Sequence, residues 1–148
     1  TTETPQGVLA TASMRTHELS DILTQEKPLI VVSDTVQDPG NLGAIMRSAL
    51  AFGATAMVLT KGTTDPFSPK AVRSAMGALF ALPVVTDILL DDLIEDLRAH
   101  HVTIFALDQN ADETLWSVQF PERLALIFGN EGNGMSDDDM EDIEARAG

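Results

Sequence analysis

Two glycine-bearing loops in this 148-residue chain combine residue types and spacings that suit ligand chemistry. The first, Asp38-Pro39-Gly40-Asn41-Leu42-Gly43, opens a segment that carries Arg47. Gly43 and Arg47 are four positions apart, so on a helix they share a face distinct from the Leu42/Ile45/Met46 stripe. A glycine there admits close approach of another group to the backbone, and an arginine one turn on offers a fork of donors matching a phosphate. The same residues also suit a helix cap, a tolerated glycine and a surface arginine, and spacing does not separate the two readings. The second loop, Gly129-Asn130-Glu131-Gly132-Asn133-Gly134, directly follows the apolar run Leu124 to Phe128. Its glycines free backbone amides to turn toward a ligand. The spacing is not the dinucleotide-binding G-x-G-x-x-G, and no Lys-Ser/Thr follows as a Walker loop requires. Glu131 inside the loop disfavours a bare phosphate and suits a ligand with hydroxyl or ammonium groups.

Other constellations are weaker. Asp108, Asn110 and Asp112 imitate the start of a calcium loop, but Glu113 stands where glycine is required and Gln119 where a bidentate glutamate should be. Asp137-Asp138-Asp139 is the ordinary acidic complement to a helix N-terminus. His17, His100 and His101 lack the spacing of a triad or a metal site, and no metal is expected. Trp116 and the six phenylalanines are expected in the core or at an interface, since no basic residues interleave them.

The elements that must position these loops follow from apolar periodicity. Residues 1–27 are polar and read as a linker with one short strand, Val8 to Ala12. Leu29-Ile30-Val31-Val32 is a β-branched run of the kind that forms a buried strand. Leu42, Ile45, Met46, Ala49 and Leu50 then recur at helical spacing, with Asn41 placed to cap the start and Gly53 to end it. Ala54 to Leu59 supplies another strand. Ser68-Pro69 reads as an N-cap with proline at the first helical position, and Gly77 closes that helix. A strand at Val84-Val85, a helix on Leu89, Leu90, Leu93, Ile94 and Leu97, strands over Val102–Leu107 and Leu124–Phe128, and a helix from Ser136 complete the pattern. Strands that alternate with helices and are apolar throughout imply an α/β protein with a parallel sheet covered on both faces.

Composition excludes several classes. The absence of cysteine removes disulfide scaffolds, thiolate metal sites and a Cys nucleophile. No apolar run approaches the roughly 18 residues that span a bilayer, and no secretory leader pattern stands in the polar first residues, so a soluble cytoplasmic protein is expected. The net charge of −14 argues against a surface that grips nucleic acid everywhere. Residues 1–86 hold 7 acidic and 6 basic side chains, whereas residues 87–148 hold 16 acidic and 3 basic. A polyanion would therefore meet the first half, through Arg15, Lys27, Arg47, Lys61, Lys70 and Arg73.

Asp34-Thr35-Val36-Gln37-Asp38-Pro39-Gly40-Asn41-Leu42-Gly43-Ala44-Ile45-Met46-Arg47, running on to Ala51-Phe52-Gly53, resembles the first motif of the SpoU/TrmH family of the SPOUT superfamily of RNA methyltransferases. Pro69-Lys70-Ala71-Val72-Arg73 with Gly77-Ala78 is similar to its middle segment, and Ile127 to Ser136 to its second motif. The opening Thr4-Pro5-Gln6-Gly7-Val8 is similar to the junction with an N-terminal RNA-binding domain. The resemblance implies an α/β knot, a homodimer, S-adenosylmethionine as methyl donor, and 2′-O-methylation of a ribose in tRNA or rRNA. It places Asn41, Arg47 and Glu131 at catalytic positions. Leu107, Ile127, Phe128, Gly129, Asn130 and Gly132 fall on cofactor-binding segments, and Arg47, Lys70 and Arg73 on the RNA-binding surface. The family's third motif is not found after Ile143, so residues 28–148 are expected to be a methyltransferase domain with an incomplete knot, and residues 1–27 a junction. The alternative reading is a non-catalytic RNA- or nucleotide-binding α/β module.

Overall fold

The computed structural model describes residues 7, 8, 10–107, 111, 114, 116–129, 143 and 145–147. Its elements in chain order are α1 (Leu19–Leu23), β1 (Leu29–Ser33), α2 (Pro39–Ala51), β2 (Ala56–Thr60), α3 (Pro69–Ala75), a 3₁₀ turn (Ala78–Phe80), β3 (Val84–Ile88), α4 (Leu90–Ala99), β4 (Thr103–Leu107), β5 (Leu124–Phe128) and β6 (Ala145–Ala147). The strands form one sheet in the order β3-β2-β1-β5-β4-β6, and every pairing is parallel. The expected α/β architecture is therefore present. The expected helix from Ser136, the residues Asp108, Asn110 and Asp112, and the Asn130–Gly134 segment lie outside the described residues.

Continuous apolar runs form these strands because both faces of the sheet are covered. Ile30, Val32, Ala56, Val58, Ile104, Ala106, Ala125 and Ile127 pack on one face with Leu93, Ile94 and Leu97 of α4. Val31, Met57 and Leu59 pack on the other with Leu42, Met46 and Ala49 of α2. The two-residue alternation of a strand assigns each side chain to its layer.

Three details differ from the sequence expectations. Residues Val8, Ala10 and Ala12 are exposed and irregular, so the short strand expected there is absent among the described residues. Residues 19–23 form α1, whose Leu19, Ile22 and Leu23 are buried in the α4-side core, so the domain begins before Pro28. The helix is short and its buried stripe is made of three residues, too few for periodicity to announce. Arg123 secures it: its guanidinium donates to the carbonyls of Leu23 (2.8 Å), Gln25 (2.5 Å), Glu26 (3.0 Å) and His100 (3.1 Å), joining the C-terminal ends of α1 and α4. Finally, Trp116, Phe52 and Phe80 are 95%, 86% and 71% exposed, so of the expected core-or-interface placement the core half does not hold for these three.

Candidate functional site

The strand order reverses between β1 and β5, the place in an open parallel sheet where ligands bind beyond the carboxyl ends of the strands. The last residues of the three strands there stand in register, with Ser33 opposite Phe128 and Phe128 opposite Leu107. The Asp34 N–H donates to the Phe128 carbonyl at 2.8 Å, so the loop after β1 and the loop after β5 leave the sheet from one point.

The β1–α2 loop is held by side chains that are far apart in sequence. The nearly buried Asp34 carboxylate accepts from the Thr60 hydroxyl at 2.6 Å, and the Thr35 N–H donates to the same Thr60 oxygen at 3.1 Å. The Thr63 hydroxyl donates to the Ser33 carbonyl at 3.0 Å, and the Gln37 amide donates to the carbonyls of Thr35 and Gly62 at 3.0 and 2.7 Å. These bonds hold Thr35 at φ 50°, a left-handed conformation that costs a β-branched residue energy. Sequence inspection missed Asp34 and Thr60 as loop-fixing residues, because their 26-residue separation carries no local signal.

The cap of α2 also differs from expectation. Asp38, not Asn41, is the N-cap: its carboxylate accepts from the Asn41 N–H at 2.9 Å, Pro39 takes the first helical position, and Asn41 lies inside the first turn. The same carboxylate pairs with the Lys70 ammonium at 2.5 Å. The Lys70 hydrogen bond first, and the Asn41 N–H second, hold the Asp38 carboxyl below the usual carboxylate range. Gly53 ends α2 as expected, at φ 81° just past its C-cap. Ser68 caps α3, accepting from the Ala71 N–H, and Met76 and Gly77 terminate it with successive left-handed residues.

Gly43 and Arg47 do share a face, and the group approaching that face is α3. A methyl group on Gly43 would lie 2.5 Å from the Ser74 Cβ, 2.7 Å from the Ala71 carbonyl oxygen and 2.8 Å from the Ala75 nitrogen. The Ser74 hydroxyl donates to the Gly40 carbonyl at 2.7 Å across the same contact. One turn on, the exposed Arg47 directs Nη1 to the Met76 Sδ at 3.2 Å. Close packing of α2 on α3 thus brings Arg47, Lys70 and Arg73 onto two adjoining helices, with Lys70 engaged by Asp38 and Arg73 exposed in the last turn of α3.

Of the residues expected at a cofactor site, Leu107 and Phe128 are half-buried at their strand ends and line a cavity of about 480 Å³ with Ile45 and Ser48 of α2 and Phe52, its C-cap. Gly129 is half-buried directly after β5. The Ile127 side chain is fully buried in the α4-side core and the residue is paired within the sheet to Val32 and Ala106, so it does not face the strand-end crevice as expected of a cofactor contact. Asn130, Glu131 and Gly132 lie outside the described residues. No group of three or more potential metal-ligating side chains occurs among the described residues.

A sequence model of the SpoU rRNA Methylase family matches residues 28–147. A 23S rRNA (guanosine(2553)-2′-O)-methyltransferase of Bacillus subtilis, RlmP, is 40% identical over 134 residues, covering 90% of this chain and 52% of the relative. Among solved structures, an AdoMet-bound rRNA methyltransferase from Sinorhizobium meliloti superposes with a TM-score of 0.80 at 35% identity, over 90% of this chain and 52% of that one. The SpoU methyltransferase AviRb from Streptomyces viridochromogenes gives a TM-score of 0.82 at 29% identity, over 90% of this chain and 54% of that one. The chain spans about half the length of the relatives it matches. With its parallel sheet, its shared strand-end crevice and a family match that runs from β1 to β6, the chain belongs to the SpoU rRNA methylase family.

Proposed function

We propose that this chain supplies the catalytic unit of a cytoplasmic, homodimeric RNA 2′-O-methyltransferase that uses S-adenosylmethionine, with ribosomal RNA as its substrate. The observation that carries the reading is the strand-end crevice, where the loop leading into the Arg47 helix and the loop after Phe128 start side by side. Ribosomal RNA is favoured by the names of two relatives, 40% and 32% identical to this chain, which are 23S rRNA 2′-O-methyltransferases, while another at 37% is named for tRNA and rRNA together. The half-buried Leu107 and Phe128 suit the flat apolar part of an adenosyl group, and the polar contacts fall to Gly129, Asn130 and Gly132. When bound, the cofactor supplies a sulfonium methyl group. No helix among the described residues is long and apolar enough to cross a membrane.

Arg47 acts at the acceptor in this reading. A guanidinium is protonated at neutral pH and has no acceptor lone pair, so it is a poor base for the ribose hydroxyl proton. Its forked positive charge instead grips the neighbouring phosphate and stabilises the alkoxide as it forms. Asn41 fixes the first turn of α2, and Glu131 orients Arg47 or the second subunit. Lys70 and Arg73 add phosphate contacts on α3.

The test supplies the protein with tritiated S-adenosylmethionine and unmodified total RNA, followed by alkaline hydrolysis. Label in alkali-resistant dinucleotides of ribosomal RNA is expected; its absence would remove the reading. Arg47→Lys keeps the charge and loses the fork, and its kcat is expected to fall about 10-fold or more, as for loss of one transition-state donor. A wild-type rate in that variant would exclude the forked contact.

A further inference from the structure

We propose that a cavity between the N-terminal segment and the α3–β3 corner is a subsite for an unpaired base of the RNA substrate. The proposal deepens the function given above and rests on it. The cavity is about 730 Å³ and is walled by Phe67, Leu79, Phe80 and Pro83 on one side. Arg15 and His17 of the N-terminal segment line it as well.

Three observations point to a nucleotide. The first is chemical: two aromatic rings and an aliphatic floor form the kind of surface on which bases of any sequence stack. Phe80 is 71% exposed although it lines this concavity, so the ring is presented to the solvent side rather than consumed by the core. The second is electrostatic. In a chain of net charge −14, no carboxylate stands among the described residues lining the cavity, and its charged or titratable members are Arg15 and His17. The cavity belongs to the half of the chain with 7 acidic and 6 basic side chains, and the positive Arg15 among its lining residues is complementary to a phosphodiester. The third is continuity with the acceptor site. Met76, whose sulfur meets Arg47 Nη1 at 3.2 Å, stands four residues before Phe80 across the left-handed Met76-Gly77 corner. Four residues span at most about 14 Å, or about four stacked nucleotides at roughly 3.4 Å each. A strand gripped by Arg47 therefore reaches the Phe67/Phe80 walls within a few nucleotides. Single-strand stacking at this distance would select an unpaired base near the modified ribose, which a duplex cannot offer.

The test measures fluorescence anisotropy of a labelled single-stranded RNA dodecamer and of the matching duplex, at one fixed salt concentration, on wild type, Phe80→Ala and Phe80→Tyr. Loss of one base–aromatic stack predicts single-strand affinity about 5- to 150-fold weaker in Phe80→Ala. Phe80→Tyr is expected to stay within about twofold of wild type, and duplex affinity to be equal in all three proteins. Because Phe80 is mostly exposed, the variants are expected to fold, which circular dichroism checks. Unchanged single-strand affinity in Phe80→Ala, an equal loss for strand and duplex, or no binding of the single strand by wild type would each overturn the subsite. Methyl transfer, measured in parallel, separates the two levels. Turnover that depends on Arg47 with no effect of Phe80 removes the subsite alone, whereas neither turnover nor RNA binding removes the methyltransferase reading as well.

Discussion

Gly43→Ala puts the α2–α3 contact to a quantitative test. The added methyl would meet the Ser74 Cβ at 2.5 Å, the Ala71 carbonyl oxygen at 2.7 Å and the Ala75 nitrogen at 2.8 Å. Two of these three atoms are backbone and cannot rotate aside, so the helices must separate. Overpacking of a close contact costs typically about 1–3 kcal/mol, and a backbone clash belongs in the upper part of that range, roughly 2–3 kcal/mol. Alanine is the better helix former and returns up to about 1 kcal/mol. The net expectation is a loss of roughly 1–2 kcal/mol, which for a domain of this size lowers Tm by about 2–8 °C. Thermal unfolding followed by far-UV circular dichroism reads this directly. Methyl transfer assayed well below the lowered Tm is expected to fall too, because Arg47 lies one turn beyond the displaced contact and meets α3 through Met76. A Tm equal to or above that of wild type would refute the reasoning: helix propensity would then outweigh the contact, and Gly43 would have no packing role.

Three further expectations concern the scaffold of the site. Thr60→Val removes the hydroxyl that donates to the buried Asp34 carboxylate and accepts from the part-buried Thr35 N–H; a loss of about 1–3 kcal/mol in urea unfolding is expected, and an unchanged midpoint would deny the loop its anchor. Arg123→Ala unties the carbonyls of Leu23, Gln25, Glu26 and His100, which should cost about 1–3 kcal/mol, with Arg123→Lys recovering less than half because an ammonium lacks the planar fork. The Asp38 carboxyl is held below its ordinary value by Lys70 and the Asn41 N–H. A depressed folded-state pKa contributes stability that is fully present above the unfolded value of about 3.9 and is lost as pH falls through the lowered native value. Acid titration of Tm is therefore expected to show a smaller fall below pH 4 in Asp38→Asn than in wild type, and identical acid limbs would contradict the assignment.

Much of this molecule was legible from residue order alone. The apolar β-branched runs fixed strands β1, β2, β4 and β5 to within two residues, because a parallel sheet buried on both faces demands continuous hydrophobicity. Ser68-Pro69 and Gly53 marked helix ends through local backbone chemistry that needs no tertiary partner. The two long motifs identified the family, since they record loops that must stand at strand ends.

Tertiary structure decided what depends on distant partners. Asp38 rather than Asn41 caps α2, a choice made between two good capping residues and reinforced by Lys70 from another helix. Gly43 is required by the backbone of α3, which no pattern around Gly43 announces. Asp34 reads as one more polar turn residue until Thr60, 26 positions on, closes on its carboxylate. α1 is too short to show a period and gains its stability from Arg123 and the core it covers. Sequence thus determined the four long apolar strands and the helices with a clear period, α2 and α4, because propensity and hydrophobic period act over a few residues. Folding alone determined which loops meet at one crevice and which side chains hold them there, because hydrogen bonds and close packing act through space.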